Sequence, residues 1–399
     1  MTDPPLTGVT ILDLTRVLSG PFCTMLAADM GARVIKVEHP IRGDDTRAWG
    51  PPFQQGESAY FLSINRNKES VAVDFKRDEG RQLLNRLIEK ADVLVENFRP
   101  GTLDAIGLGY QELSTRHPAL IYVSISGFGQ SGPRRTEAGY DAVAQAEGGL
   151  MSVTGSPDGP PVRLGVAIAD LAAGMYAFQG LLLALIARGR TGKGQLVDVA
   201  LLDSVASLLT YQSGRFFATG EAPARTGNRH TAIAPYDTFD AADGVIVLAV
   251  GNDDQWRRLC HALERPDLDE AAQFRTNADR VGHYDALRTA LTDTLSTRPA
   301  SDWVRRLRAA GVPCGSVRSI DEVFADPQLL SREMLAMVEH PAIGPLRMAG
   351  LPTKLSGTPG SIRTPPPRLG EHTGRVLERD LGLSAGEIEQ LRRGGVITA

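Results

Sequence analysis

The alternation of short apolar strands with helical patterns constrains the fold of this chain more than any other feature. Gly8–Leu14 is an apolar run typical of a strand, and Phe22–Met30 has helical spacing and ends at Gly31. Ala32–Glu38 follows as a second strand. Strands joined through a helix in this way lie parallel, so the segment predicts a βαβ unit within an α/β sheet.

The same alternation continues to about residue 200. Further strands are predicted at Ser70–Asp74, Asp92–Glu96 and Leu120–Ser126. Glu79–Lys90 is predicted to be a helix, because its leucines fall on one face. After a polar turn at Thr191–Gln195, the apolar segment Leu196–Leu209 is predicted to be helical. Together these segments predict a Rossmann-like domain with a parallel sheet.

The sequence pattern changes near Gly220, where the helical segments become more polar, and this change predicts a second, smaller α+β domain. It has one strand and several polar helices, predicted at Gly244–Val250, Asp254–Leu263, Tyr284–Leu295 and Ser301–Ala310. A chain of 399 residues exceeds the usual size of one hydrophobic core. The predicted domains are a large N-terminal part at 1–200, a linker helix region at 201–225, a small domain at 226–320, and a segment at 321–399 that completes the large domain with two helices.

Composition excludes several classes of protein. The net charge of −4 argues against a general nucleic-acid binder. The three cysteines are far apart and odd in number, which suggests neither a disulfide framework nor a zinc site, and no metal is expected. The apolar stretch Gly165–Ala187 contains Asp170, so we interpret it as a buried helix and expect no membrane partner. With no signal-peptide pattern at Met1–Gly8, a cytoplasmic location is expected.

The βαβ unit suggests a dinucleotide site, and Glu38 lies where an acid binds the ribose in such sites. That site requires a glycine-rich first turn, so that the backbone can approach the pyrophosphate. Here the turn at 15–21 has one glycine followed by a proline. The dinucleotide fingerprint is therefore absent, although the topology can still bind another nucleotide-bearing cofactor.

Several segments in a fixed order resemble the family III CoA-transferases, from about residue 6 to residue 395. They are Leu12–Pro21, Gly31–Glu38, Gly43–Trp49, Asn65–Lys68, Val95–Gly101, Gly139–Gln145, Arg163–Gly174, Thr191–Gln195 and Leu369–Thr373. Two of the chain's segments, 43–53 and 228–236, are most similar to the succinyl-CoA–glutarate subgroup. The resemblance implies an interlocked, ring-like homodimer that transfers CoA between an acyl-CoA and a carboxylic acid. It implies no permanently bound cofactor, since the CoA thioester is a co-substrate.

Asp170 matches the family's nucleophile, a carboxylate able to carry CoA as a thioester. Its other interpretation, compatible with the first, is the N-cap of a helix. Tyr140 is expected to donate a hydrogen bond beside Asp170, and Asp141 is expected to raise its pKa. Gly148 and Gly149 are candidates for an oxyanion site, with an ordinary turn as the alternative.

The resemblance also places residues along CoA. They are Arg16, Val17, Leu18, His39, Val73, Asn97, Phe98 and Arg99. The chain departs from formyl-CoA transferases at His39, Ala105 and Ala138, where those proteins have basic residues. The CoA phosphates must then be bound elsewhere, and the candidates are Arg42, Lys68 and Arg99.

A dicarboxylate acceptor has a second carboxylate, which an arginine fork would bind well. The candidates are Arg47, Arg66 and Arg229, in the segments most like the dicarboxylate subgroup. An α-methylacyl-CoA racemase is the alternative function, since it shares the fold family and the aspartate. Racemases need a second acid–base group, and Tyr140 stands where they have histidine, which favours the transferase. An inactive CoA-binding homologue is the third hypothesis.

Overall fold

The computed structural model describes residues 3–398 and divides into two compact units. The first unit contains the described residues up to Leu150, together with Arg163–Ser213 and those from Pro327 onward. The second unit consists of Met151–Val162 and Gly214–Asp326. The predicted small domain, 226–320, lies inside the second unit. The segment Met151–Val162 was predicted in the large domain, and no local pattern indicates its long-range association with the second unit.

The strands form one large sheet and three small ones. In chain order they are β1 (Thr10–Asp13), β2 (Arg33–Glu38), β3 (Phe53–Gln54), β4 (Glu57–Ser58), β5 (Lys68–Ala72), β6 (Val93–Glu96), β7 (Ile121–Ser126), β8 (Leu196–Ala200), β9 (Tyr236–Asp240), β10 (Val245–Ala249), β11 (Cys314–Ser316), β12 (Leu335–His340) and β13 (Gly344–Ala349).

Helices connect these strands. They are α1 (Ser19–Asp29), α2 (Ala59–Ile64), α3 (Asp78–Ile88), α4 (Tyr110–Arg116), α5 (Asp141–Glu147), α6 (Leu150–Val153), α7 (Ile168–Thr191), α8 (Leu201–Leu208), α9 (Thr210–Thr219), α10 (Asp253–Ala262), α11 (Pro266–Glu270), α12 (Asn277–Gly282), α13 (Tyr284–Leu295), α14 (Ala300–Ala309), α15 (Ile320–Phe324), α16 (Pro327–Ser331), α17 (Thr373–Leu381) and α18 (Ala385–Arg393). Short 3₁₀ turns lie at Asp45–Ala48, Asp104–Ile106 and Ala272–Phe274.

The first unit is built on a parallel sheet of six strands in the order β5-β2-β1-β6-β7-β8. Every residue of β7 is buried, as expected for a strand covered on both faces. The predicted parallel α/β sheet is confirmed. The C-terminal segment also belongs to this unit, where Ile397 bridges Val73 at the end of β5.

The prediction of a helix over Leu196–Leu209 was wrong for its first part. Leu196–Ala200 is the edge strand β8, paired in parallel with β7, and the helix begins only at Leu201. A short apolar run does not distinguish a strand from a helix by periodicity alone. The alternating Val197 and Val199 were the available signal, since β-branched residues favour strands.

Helix α7 packs against α1 through a face of small residues. Gly174 lies at the closest approach, because a Cβ there would come within 2.6 Å of the Ser19 carbonyl oxygen. Among residues 3–398, α7 is also the one helix whose length and apolar composition would allow it to cross a membrane. Its small-residue face, from Ala169 to Ala184, is buried in the first unit's core.

The second unit has an antiparallel sheet in the order β11-β10-β9, covered by polar helices. Its core contains the buried indoles of Trp256 and Trp303. Helix α13 occupies Tyr284–Leu295, as the sequence predicts. Strands β9 and β11 were not predicted, because each is short and its pairing is visible only in three dimensions.

Candidate active site

A cavity of about 160 Å³ opens at the carboxyl ends of the parallel strands in the first unit. Its walls come from the segments that follow β1, β6, β7 and β8, and from the first turn of α7. Ligands of open α/β sheets bind at this edge, where the strand order reverses. The cavity brings together these predicted residues: Arg16, Val17, Asn97, Phe98, Arg99, Tyr140 and Asp170.

The loop after β1 has a strained backbone. Val17 has a φ of 70°, in the left-handed region that β-branched residues rarely adopt. The Asn97 side chain fixes Arg16, the residue before Val17, through two hydrogen bonds. It accepts from the Arg16 N–H at 2.8 Å and donates to the Arg16 carbonyl at 2.7 Å. Asp44 accepts the Val17 N–H at 3.2 Å. Strain of this kind persists where surrounding contacts fix the backbone, and it is common at ligand sites.

A buried charge network lies beneath this loop. The Lys36 ammonium donates to the Thr15 carbonyl at 2.9 Å and pairs with Asp44 at 2.8 Å. Lys68 pairs with Asp13 at 3.1 Å. Burial lowers the pKa of Lys68 to about 8, although Asp13 opposes the shift. Because Lys68 is buried and bonded inside the protein, it is a poor candidate for binding CoA phosphates.

Asp170 is the third residue of α7, so the N-cap interpretation was wrong. The residue at the N-cap is Ala167, which has no capping side chain. Asp141 supplies the missing acceptor from α5, since its Oδ1 accepts the Ala169 N–H at 2.9 Å. Gln145 donates to the other oxygen of Asp141 at 2.7 Å. These bonds fix the start of α7, and therefore Asp170, against α5.

Burial, together with the negative charge of the nearby Asp141, raises the pKa of Asp170 to about 7. The polar side chain of Ser19 acts in the opposite direction and lowers this pKa. The expected influence of Asp141 is therefore confirmed. At neutral pH this carboxyl exists in both charged and neutral forms. A partly buried carboxylate with a raised pKa in a cavity is typical of a functional group.

Neutralising Asp141 is expected to lower the pKa of Asp170. Asp141→Asn keeps an oxygen for the Ala169 N–H but removes the like charge. NMR titration of the ¹³C-labelled aspartate carboxyls would measure the shift in the pKa of Asp170, with Asp78→Asn, exposed on α3, as the control.

Because the pKa of Asp170 is raised in the folded protein, this residue favours the folded state at low pH. That contribution is lost as the pH rises from about 4 to about 7. An unchanged titration midpoint of Asp170 in Asp141→Asn would contradict the assignment of part of the raised pKa to the Asp141 charge.

Several residues predicted along CoA do not line the cavity. Leu18 is buried in a small apolar cluster with Met25 and Ile64. Val73 is buried in the main core of the first unit. His39 accepts the backbone N–H groups of the following turn through its ring nitrogen. Packing or a local turn accounts for the placement of Leu18, Val73 and His39, and their contacts with CoA stay predictions.

Two of the arginines predicted to bind substrate are engaged in buried ion pairs. The Arg47 guanidinium donates two hydrogen bonds to the Glu38 carboxylate, at 2.7 and 2.8 Å, and stacks on the Phe61 ring. The Arg66 guanidinium donates to both carboxylate oxygens of Asp29 through hydrogen bonds of 2.7 to 3.2 Å. Neither side chain lines the cavity, so their geometry indicates a structural role.

Other predicted residues stay predictions. Arg229 belongs to the second unit, where its guanidinium lies 3.7 Å from the centre of the Tyr284 ring. Arg42 is exposed in the turn after β2. Gly148 and Gly149 form the turn after α5, outside the cavity lining, and Gly149 has a φ of 86°. The turn interpretation accounts for both glycines, and their oxyanion role stays untested.

Sequence reasoning missed two residues near Asp170. Ser19, the first residue of α1, lines the same cavity as Asp170, and its side chain opposes the rise in the pKa of Asp170. Burial, together with the negative charges of Asp170 and Asp141, raises the pKa of Tyr60 to about 12. Tyr60 is therefore close to the acidic pair. The only available signal for Ser19 was its place in the Leu12–Pro21 segment, and no pattern indicated Tyr60.

Comparisons with known proteins agree on one family. The family model described as CoA-transferase family III matches residues 6–373. The human protein named succinyl-CoA:glutarate CoA-transferase is 42% identical over 98% of this chain and 90% of its own length. An Agrobacterium fabrum protein named succinate–glutarate CoA-transferase is 43% identical over 94% of this chain and 95% of its own. A crystal structure of a CaiB/BaiF family protein from Brucella suis superimposes with a TM-score of 0.86 at 40% identity, covering 95% of this chain and all of that one.

Proposed function

Because the chain belongs to CoA-transferase family III, we propose that it moves CoA from an acyl-CoA to a dicarboxylic acid through an intermediate on Asp170. The expected donor is succinyl-CoA and the expected acceptor resembles glutarate, as the names of the human and Agrobacterium relatives suggest. The observation that carries the proposal is the carboxyl of Asp170, held in a cavity at the strand ends with a pKa of about 7.

The reaction needs only a carboxylate that alternates between nucleophile and leaving group. Asp170 attacks the thioester carbonyl, the C–S bond breaks, and CoA leaves as a thiolate from a mixed anhydride. The thiolate attacks the aspartyl carbonyl and expels the donor acid, which leaves an aspartyl-CoA thioester. The acceptor carboxylate then attacks this thioester and releases CoA. Finally CoA attacks the acceptor carbonyl of the second anhydride, and Asp170 returns as a carboxylate.

The environment of Asp170 suits both roles. A carboxylate with a raised pKa binds a proton or an acyl group more readily than an exposed one, so its nucleophilicity is higher. Partial burial also keeps water from the anhydride and thioester, which would otherwise hydrolyse. Asp141 raises the energy of the charged ground state and is itself fixed by Gln145 and the Ala169 N–H.

The alternative racemase chemistry is not supported. That reaction needs a second group that exchanges a proton at the α-carbon. Tyr140 lines the cavity with Asp170 and is 66% exposed. A phenol has an ordinary pKa near 10 and is a weak base at neutral pH, whereas it donates hydrogen bonds well. The comparisons also favour the transferase over the racemase.

The loop at Arg16–Val17 and the segment Asn97–Arg99 are the proposed walls for CoA. Arg16 lies 5.4 Å from the centre of the Phe98 ring and pairs with Asp45 at 3.1 Å. Arg99 is exposed at the cavity wall, which suits it to the CoA phosphates better than buried Lys68.

A homodimer is also part of the proposal. It comes from the family resemblance, and the outward face of α7 supports it. Met175, Leu183 and Ile186 on this helix are exposed, at 48%, 58% and 60%. A long helix with large apolar side chains in solvent is typical of a surface that another chain covers. A cytoplasmic location stays a prediction from the sequence.

The purified protein should transfer CoA from succinyl-CoA to dicarboxylates faster than to monocarboxylates of the same length. Chromatography of CoA esters after incubation with matched acid pairs, such as glutarate and valerate, measures the preference. Equal rates for both members of each pair would remove the dicarboxylate assignment while leaving the transferase intact. Exchange of the α-hydrogen for deuterium without CoA transfer would indicate a racemase instead.

A further inference from the structure

Two fully buried lysine side chains donate to backbone carbonyls on either side of Val17. Lys36, on β2, donates to the Thr15 carbonyl at 2.9 Å. Lys68, on β5, donates to the Pro21 carbonyl in the first turn of α1, also at 2.9 Å. Since β2 and β5 are neighbours in the parallel sheet, the sheet itself holds both ends of the loop that carries Val17.

The carboxylates that pair with these lysines bind the same loop. Asp44 pairs with Lys36 at 2.8 Å, and its other oxygen accepts the Val17 N–H at 3.2 Å. Asp13 pairs with the second lysine at 3.1 Å, and its other oxygen accepts the Thr15 N–H at 2.9 Å. Each ion pair therefore bonds the loop through both its cation and its anion.

Side chains bond every backbone polar group from the Thr15 N–H to the Val17 N–H. Asn97 makes the remaining two of these bonds, to the N–H and the carbonyl of Arg16. The first turn of α1 also packs back on the loop, because a Cβ at Gly20 would lie 2.3 Å from the Thr15 side chain. The loop conformation, including the φ of 70° at Val17, is thus specified by side chains from other segments.

Stability alone accounts poorly for two buried lysines. Taking a charge out of water is costly, and apolar residues can often replace a buried ion pair without loss of stability. A buried pair can instead select one conformation over others. The conformation selected here places Arg16 and Val17 in the wall of the cavity that contains Asp170. A left-handed valine is unfavourable by itself, so the loop depends on its surroundings to keep this shape.

We propose that Lys36 and Lys68 are positioning residues, which hold the loop at Arg16–Val17 in the conformation that binds the CoA moiety. The inference rests on the proposed binding of acyl-CoA along this loop. Both ammonium groups are buried and act through the carbonyls of Thr15 and Pro21. A loop that is already ordered loses little conformational freedom when the ligand binds, which favours binding.

Replacing each ion pair as a whole tests this role without leaving an unpaired buried charge. The first variant combines Lys36→Met with Asp44→Asn, which keeps an oxygen for the Val17 N–H. The second combines Lys68→Met with Asp13→Asn, which likewise keeps an oxygen for the loop. In both variants the loop loses the ammonium group that donates to its carbonyl.

Each double variant is expected to bind CoA about tenfold more weakly than the wild type, as measured by isothermal titration calorimetry. A loop that adopts the binding conformation about a tenth of the time raises the apparent Kd by that factor. The KM for acyl-CoA should rise more than kcat falls, since the change is in binding rather than in the covalent steps. Hydrogen exchange at the Arg16 and Val17 amides should become faster, with the rest of the sheet unchanged.

The matched control combines Arg66→Met with Asp29→Leu. This change removes an equally buried ion pair, whose further bonds go to Asn67 and the Ala349 carbonyl. Neither Arg66 nor Asp29 lines the cavity, so the control should bind CoA with the Kd of the wild type.

A wild-type Kd for CoA in both folded double variants would overturn the positioning role. Weaker binding with faster exchange throughout the first unit would also overturn it, because that pattern indicates a general loss of stability. A further measurement needs no variant, since the Arg16 and Val17 amides of the free wild type should already exchange slowly. Fast exchange there, slowed strongly by CoA, would show that the ligand orders the loop. No binding of CoA by the wild type would contradict the proposed function itself, whereas normal binding with unaffected variants overturns only this inference.

Discussion

Replacing Asp170 with alanine is expected to reduce the rate of CoA transfer by at least about 10³-fold, as loss of a covalent nucleophile usually does. The side chain is the only group in the proposed reaction that bonds to the acyl carbon and to CoA. Without it, donor and acceptor must react directly, although the proposed CoA-binding loop at Arg16–Val17 is unchanged. The initial rate of succinyl-CoA-dependent ester formation measures the loss.

The same variant should remain folded. Removing a carboxyl whose pKa burial has raised to about 7 relieves an unfavourable charge, so its thermal midpoint at pH 8 should equal or exceed that of the wild type. Asp285→Ala is the matched control, because Asp285 is also an acid in the first turn of a helix but is exposed on α13. A transfer rate within about tenfold of wild type in folded Asp170→Ala would rule out the nucleophile, given the size of effect above.

Replacing Arg66 with methionine is expected to lower the free energy of unfolding by about 3–5 kcal/mol. The side chains of Arg66 and Asp29 are 4% and 1% exposed, so removing the guanidinium leaves a buried, poorly compensated carboxylate. Asn67 still donates to Asp29 at 2.8 Å, but a neutral amide replaces little of the lost charge interaction. Urea unfolding followed by circular dichroism measures the change.

Two further variants sharpen this experiment. Asp29→Leu combined with Arg66→Met should recover most of the lost stability, because no charge is then left unpaired. Arg393→Met is the surface control, since Arg393 is 79% exposed in its pair with Glu389 and should contribute under about 1 kcal/mol. Wild-type stability in Arg66→Met, together with a lost preference for dicarboxylates, would restore the substrate-binding role predicted from the sequence.

The large sheet could be predicted because its signals are local. Apolar runs, helical spacing and a terminating glycine at Gly31 lie within a few residues of one another. The edge strand β8 could not, since its apolar residues suit a helix equally well until β7 pairs with it. The association of Met151–Val162 with the second unit could not be predicted either, because it depends on contacts between segments distant in sequence.

Part of the candidate site could be predicted because its signals are also local. Asp170, Tyr140 and Asn97 fall in recognisable segments, and the fold brings them to one cavity. The arginines were harder to assign, because sequence shows a guanidinium but not the buried carboxylate that engages it, as Asp29 does for Arg66. Ser19 was missed because its place in the cavity wall depends on the packing of α1 against α7, which no local pattern shows.

The most direct test of the central claim is to trap the activated carboxyl of Asp170 as a hydroxamate, with CoA or the acid as the leaving group. The wild-type protein would be incubated with succinyl-CoA, treated with hydroxylamine, and analysed by intact-protein and peptide mass spectrometry. A hydroxamate on the peptide containing Asp170, formed only with the acyl-CoA and absent from Asp170→Ala, is the expected result. Rapid CoA transfer without any modification of Asp170, or with a modification at another carboxylate, would contradict a covalent intermediate at this residue.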